Sequence, residues 1–185
     1  MPTAAMPTAA SKRWTYADYC RIPADRNRHE IIDGVHYVNP APTPGHQAVS
    51  RRLQYELMTA IELPGLGQVI NAPIDVHLGR GSLVQPDLVV VLQRSLQIIG
   101  DKKLTGAPDL LIEIRSPGTA RYDRRTKLPR YARAGVREVW LVDPELCLVE
   151  QFATENRRCV LVGTHVERVR LRVLPRVAIA LGRVF

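Results

Sequence analysis

Cysteine is scarce in this chain: Cys20, Cys147 and Cys159 are odd in number, far apart, and form no C-x-x-C pair. A disulfide framework and a zinc ribbon are therefore not expected, and a reducing, cytoplasmic setting fits best. Of the five histidines only His29 precedes a glutamate, and no second histidine follows at metalloprotease spacing. A G-x-S-x-G elbow and a Walker phosphate loop are both missing, which sets aside esterase and nucleoside-triphosphatase readings. No apolar run approaches the roughly 18 residues of a membrane span, so no membrane partner is expected. Residues 1–10 repeat Met-Pro-Thr-Ala-Ala twice, without the basic start and apolar core of a signal peptide. Residues 1–13 are read as a disordered leader and 14–185 as one domain, long enough to bury a real core.

Acidic residues are also in deficit. Lys plus Arg number 26 against 18 Asp plus Glu, for a net charge of +8. That balance favours polyanionic partners, nucleic acid first. With 45% apolar and 24% charged residues, the composition is that of an ordinary globule.

Local signals order the chain. Thr15 and Asp18 open a short helix that ends before Pro23. His29–Ile32 and Val35–Val38 flank Asp33-Gly34, a strong hairpin signal. After a proline-rich loop at 39–44, Val49, Leu53, Leu57 and Ile61 draw one apolar stripe along a helix over 45–62. Gln68–Leu78 alternates loosely as a strand and ends at the Gly79-Arg80-Gly81 turn. Strands follow at Leu88–Leu92 and 109–115, separated by a polar connection with a short helical piece. A helix over 121–134 stops at Gly135, a natural left-handed cap, with Pro129 inside it pointing to a late start that leaves Lys127 in the first turn. A strand at Glu138–Val142, a hairpin over 146–162 and tail strands near 168–172 and 177–181 complete the chain. This order predicts an α/β (α+β) fold with a mixed sheet flanked by helices.

The chemistry concentrates between Pro86 and Lys127. Asp87 stands at the mouth of the first apolar strand, and Glu113 lies inside the second, Leu110–Ile114. A carboxylate within an Ile/Leu/Val run requires a cation or a metal ion to offset desolvation. Two acids on adjacent strands, with Lys127 brought in by the next helix, form a minimal site for metal-assisted phosphodiester hydrolysis. Spacing by four puts Asp123, Lys127 and Tyr131 on one helical stripe. Plainer roles stand beside these: Asp87 as a turn cap, Glu113 as a partner of Arg115 or Lys127, and Lys127 as the i,i+4 partner of Asp123. His46 and Gln47 either open the second helix or touch phosphate. Arg115, two residues past Glu113, shares its face of the strand. Arg121, Arg124 and Arg125 belong to a basic surface that either contacts phosphate or is simply solvated.

The segments His29–Gly34, Gly45-His46-Gln47, Pro86-Asp87-Leu88 and Gly106–Asp109 come in sequence. They lead into Glu113–Thr119, Asp123, Lys127, Tyr131–Val136 and Glu138–Pro144. From Thr15 to Phe152 this series resembles the Uma-type "putative restriction endonuclease" family within the PD-(D/E)XK nuclease superfamily. The resemblance implies a restriction-endonuclease-like mixed sheet and a Mg²⁺ (or Mn²⁺) site for cutting DNA. It implies Asp87 and Glu113 as metal ligands, with Glu30 as the upstream acid completing the set. The superfamily usually carries lysine two residues after the glutamate. Arg115 stands there in this chain, and family members with an aliphatic residue at that position take the lysine from the next helix, here Lys127. A second departure is Gly118, where serine is more common. A homodimer is one arrangement that would cut two strands. The rival readings are a nuclease fold that binds nucleic acid without cutting it, motivated by Arg115 and Pro129, and an accessory protein of a mobile element or toxin.

Overall fold

The computed structural model describes residues 6–7, 12–25, 27–39, 41–79, 81–116 and 122–185. Two six-stranded sheets lie face to face. The outer sheet has the order β1-β3-β2-β6-β5-β8 and the central sheet β12-β11-β10-β9-β7-β4. Its outer members are β1 (Met6–Pro7), β2 (Arg28–Ile32), β3 (Val35–Asn39), β5 (Val76–Gly79), β6 (Ser82–Val84) and β8 (Leu104–Thr105). The central strands are β4 (Gly67–Asn71), β7 (Leu88–Leu92), β9 (Leu110–Ile114), β10 (Glu138–Asp143), β11 (Leu148–Glu155) and β12 (Arg158–His165). A short ribbon, β13 (Arg168–Arg170) with β14 (Ala178–Ala180), follows. The mixed α/β character expected from the sequence is thus the observed one.

Local chemistry explains the elements that position the site. Helix α1 (Tyr16–Tyr19) begins with a capping box, in which the Thr15 side chain accepts from the Asp18 N–H and the Asp18 carboxylate accepts from the Thr15 N–H. The β2–β3 hairpin turns through Asp33 and Gly34, both at positive φ (52° and 82°), the backbone an Asp-Gly turn supplies. Helix α2 (Pro44–Leu57) starts at a Thr43 cap with Pro44 in its first turn and widens into a π-helical stretch, Met58–Glu62. Its predicted stripe, Val49, Leu53, Leu57 and Ile61, is buried throughout. The predicted 121–134 helix is a π-helical stretch, Asp123–Lys127, running into α3 (Leu128–Ala134). Pro129 falls two residues past the widened turn, where the i→i−4 ladder it would break is already interrupted. Gly135 ends α3 at φ 97°.

The central sheet is buried on both faces. One face packs Leu88, Val90, Leu110 and Ile112 against the α2 stripe and the C-terminal Val169, Ile179 and Val184. The other packs Val89, Val91 and Leu111 against Ile32, Val76 and Val84 of the outer sheet and Leu128 and Tyr131 of α3. Continuous apolar runs are what such strands need. Two expectations are corrected here. The loose Gln68–Leu78 strand is two strands in different sheets, broken at 72–75, and Ser82–Val84, given no element by the sequence pattern, is a strand.

A buried acid fastens the C-terminal segment to the central sheet. Glu138 Oε1 accepts from Trp140 Nε1 (2.7 Å) and Gln151 Nε2 (2.6 Å), and Oε2 from the N–H groups of Arg172 (2.8 Å) and Val173 (2.9 Å). Glu138→Ala leaves four donors without that acceptor, an expected loss of about 2–4 kcal/mol. Urea unfolding reads this directly; a loss below about 0.5 kcal/mol, the scale of ordinary surface substitutions, would contradict it.

Candidate active site

Strands β7 and β9 run antiparallel with Leu88 opposite Ile112. One step beyond, Asp87 stands opposite Glu113, and alternation turns both toward the outer sheet and α3. Strand β2 of the outer sheet turns Arg28, Glu30 and Ile32 inward to meet them. The π-helical stretch supplies Asp123 and Lys127, α3 supplies Tyr131 on the same stripe, and α2 supplies His46 from its first turn. The sheets therefore close around one polar cluster inside an apolar sandwich.

Lys127 is its hub. Its Nζ lies 3.0 Å from Glu30 Oε2, 3.1 Å from Glu113 Oε1 and 3.9 Å from Asp123 Oδ1. The Tyr131 hydroxyl donates a short hydrogen bond to the same Glu113 oxygen. Glu30 also accepts from Asn39 Nδ2 (2.8 Å) and, through Oε1, from the Gln85 N–H (2.9 Å). A two-stranded hairpin has an open face, which by itself would leave Glu30 half-exposed. The central sheet covers that face, and Glu30 is 0% exposed.

Asp87 is held from three sides. Oδ1 accepts from Arg28 Nη1 (2.6 Å), and Oδ2 from the Ile114 N–H (2.7 Å) and from His46 Nε2 (3.1 Å). Nε2 also faces the Ile114 carbonyl at 3.1 Å. Both partners are acceptors, so Nε2 carries the ring proton. Arg28 was missed in the sequence, although its place two residues before Glu30 puts it on the same face of β2.

Titration follows from this geometry. Burial pushes Glu113 up to about 8; Lys127 opposes the rise, while Asp123, Asp87 and Glu30 add to it. Burial would raise Asp87 too, but its hydrogen bond from His46 and the Arg28 charge hold it well below the usual carboxylate range. Lys127 loses solvation, yet Glu113, Glu30 and Asp123 together raise it and keep it protonated. Four carboxylates (Glu30, Asp87, Glu113, Asp123) thus face two permanent cations (Lys127, Arg28), and once Glu113 gives up its proton the cluster carries an excess of two negative charges. Among the described residues, no three His, Cys, Asp or Glu side chains are grouped as ligands of one metal ion. Lys127 and Arg28 hold the oxygens that would do it.

The remaining predicted residues lie elsewhere. Arg115, just past the end of β9, pairs with Asp143 at the end of β10 (2.5 Å) and not with Glu113, and Arg124 pairs with Glu150 on β11. Arg125 is exposed. Arg121 lies outside the described residues, as do Gly118 and the rest of 117–121. On the Asp87 side the cluster opens into a groove of about 330 Å³, lined by Arg28, His46 and Asp87 together with Gln47, Ser50 and Arg51 on the outer stripe of α2.

Comparison with known proteins agrees with this architecture. The Uma2 family model, described as "Putative restriction endonuclease", matches residues 16–182. A crystal structure titled as that of a putative nuclease belonging to DUF820 from Anabaena variabilis ATCC 29413 superimposes with a TM-score of 0.74 at 17% identity. The match covers 93% of this chain and 97% of that one, and at such identity it is a likeness of fold. No curated protein matches. No described helix is long and apolar enough to cross a membrane.

Proposed function

The chain belongs to the Uma2 "Putative restriction endonuclease" family, and on that premise we propose that it is a divalent-metal-dependent nuclease hydrolysing phosphodiester bonds of DNA. The observation that carries this reading is the buried cluster of four carboxylates against two cations. Its excess of two negative charges, complete once the Glu113 proton leaves, equals the charge of one Mg²⁺ or Mn²⁺, and carboxylate oxygens are the donors such hard ions prefer. In donor chemistry and charge the residues fit; Asp87, Glu113 and Glu30 would hold the ion by exchanging their contacts with Arg28 and Lys127. When bound, such an ion supplies an electrophile for the phosphate oxygens and acidifies a water.

The chain's own groups would do the rest. Lys127, kept protonated and buried, presents a fixed ammonium where charge develops on the phosphate. Tyr131 fixes the Glu113 carboxyl from behind. His46 and the Ile114 N–H fix Asp87, so neither acid can rotate freely. Arg28, with 20% of its side chain exposed, and Arg51 face the groove, where forked donors suit a phosphate backbone. A homodimer would present two such sites to a duplex, and light scattering checks it.

Incubation of the purified chain with labelled duplex DNA and Mg²⁺ or Mn²⁺ tests the reading; cleavage abolished by EDTA is expected. A second reading, nucleic-acid binding without hydrolysis, draws on the ion pairs that Lys127 and Arg28 already make with these acids. Salt-dependent DNA binding without cleavage in any divalent metal would favour it.

A pH dependence follows. Below about pH 8 a divalent ion must displace the Glu113 proton. Mn²⁺ affinity, measured by calorimetry, should therefore rise by up to about tenfold per pH unit and level off above that value. A flat profile from about pH 6 to about 9 would count against Glu113 as a ligand.

A further inference from the structure

Around the corner of α3 from the acid cluster lies a second concavity, of about 380 Å³, that the nuclease reading does not use. Arg124, Arg133, Arg157 and Arg158 form its rim, and Leu128, Pro129 and Cys159 form its floor. We infer that this pocket binds the phosphate of a nucleotide, with the arginines taking the phosphate oxygens and the apolar floor taking the sugar or base.

Charge and shape carry the assignment. Arg124 is paired with Glu150, and Arg133 with Asp33 at 2.6 Å. Arg157 and Arg158 have no acidic partner among the described residues, so two cationic charges remain uncompensated at the rim. Arg157 Nη2 donates to the Arg133 carbonyl (3.1 Å), which joins the β11–β12 turn to the end of α3 and sets the spacing of the guanidinium groups. That turn is fixed by Asn156 and Arg157, both left-handed at φ 48° and 62°. Glycine is the least strained residue at the second of these positions, and the chain places a long cationic side chain there instead. Guanidinium forks match phosphate oxygens in pairs, and their planes also stack on bases. The low-dielectric floor strengthens the field that an entering anion meets.

Cys159 belongs to the floor and not to a reactive centre. Its Sγ contacts the Leu128 carbonyl at 3.4 Å, and burial pushes its thiol up. A nucleotide phosphate could come from the DNA strand that the acid cluster cuts, which rests on the nuclease reading, or from a free nucleotide, which does not.

The test uses an Arg157→Asn/Arg158→Gln double variant, because asparagine tolerates the left-handed turn. Binding of a labelled oligonucleotide is followed by fluorescence anisotropy across a salt series. The affinity is expected to fall about tenfold near 0.1 M salt, and the slope against log salt to flatten by about 1–2. Hydrolysis of bis(p-nitrophenyl) phosphate, a substrate too small to span both sites, should be unchanged. Deoxyadenosine monophosphate alone is the second probe. Its binding to the wild type and not to the variant identifies a free nucleotide as the occupant, whereas loss confined to the oligonucleotide identifies the strand. Equal affinity and equal salt slope in the two proteins would overturn the inference. So would equal loss of a poly-glutamate probe, which would mark a patch for any polyanion. A wild type that hydrolyses neither DNA nor the small diester refutes the nuclease reading and leaves this binding test intact.

Discussion

Glu113→Gln should abolish cleavage and at the same time stabilise the folded chain near pH 8. The substitution keeps the shape of the side chain and an oxygen that can accept from Tyr131 and Lys127, and it removes the charge. Loss of one carboxylate from a metal-and-phosphate site is expected to cost about 10²–10³-fold in rate. The stability gain comes from linkage. An unfolded chain gives up this proton near 4.5, whereas the folded chain holds it up to about 8. Between those values the folded state binds more protons, so rising pH works against folding. What the group contributes is complete below about 4.5 and lost by about 8. Glutamine has no proton to lose, so the advantage of the variant grows across that window, to on the order of 5 kcal/mol. Thermal melts over the pH range and a cleavage assay check both halves. Cleavage within tenfold of wild type removes Glu113 from the site; a variant less stable than wild type at pH 8 contradicts the account of its burial.

Lys127→Met is the opposite case, with activity and stability lost together. Lys127 is 3% exposed and is the cation shared by Glu30, Glu113 and Asp123. Methionine fills the space but leaves three carboxylates around an apolar thioether. Removing one partner of a buried ion pair costs about 3–5 kcal/mol. In a domain of this size that lowers the Tm by roughly 6–20 °C. The deficit should shrink as pH falls and Glu113 takes up its proton. Millimolar Mn²⁺ should raise the Tm of the variant more than that of the wild type, because a dication restores positive charge where the ammonium stood. A Tm change under about 2 °C would mean that Lys127 is not the hub of the cluster.

Much of the fold was legible because its signals are local. The Asp33-Gly34 hairpin, the four-residue spacing from Val49 to Ile61, the apolar strands at 88–92 and 110–114 and the Gly135 stop each express backbone preference within a few residues. The helical stripe Asp123-Lys127-Tyr131 was equally readable, and it does face Glu113. Short pieces were less so. Strand β6 spans three residues and β8 two, too few for alternation to register, and both exist because neighbouring strands offer them a ladder. The widened turns at 58–62 and 123–127 left no mark in the pattern.

The amino-acid order alone determined which groups could do chemistry: two acids seated in apolar strands, a third before a hairpin, and a lysine at helical spacing from an acid and a tyrosine. Only the packing of one sheet on the other decided their state. It brought Arg28 and His46 to Asp87 across 59 and 41 residues of chain, buried Glu30 completely, and drew Arg115 away to Asp143. The physical reason is desolvation. A carboxylate behaves according to the charges and donors within a few ångströms once water is excluded, and those neighbours come from distant strands whose approach no local pattern records.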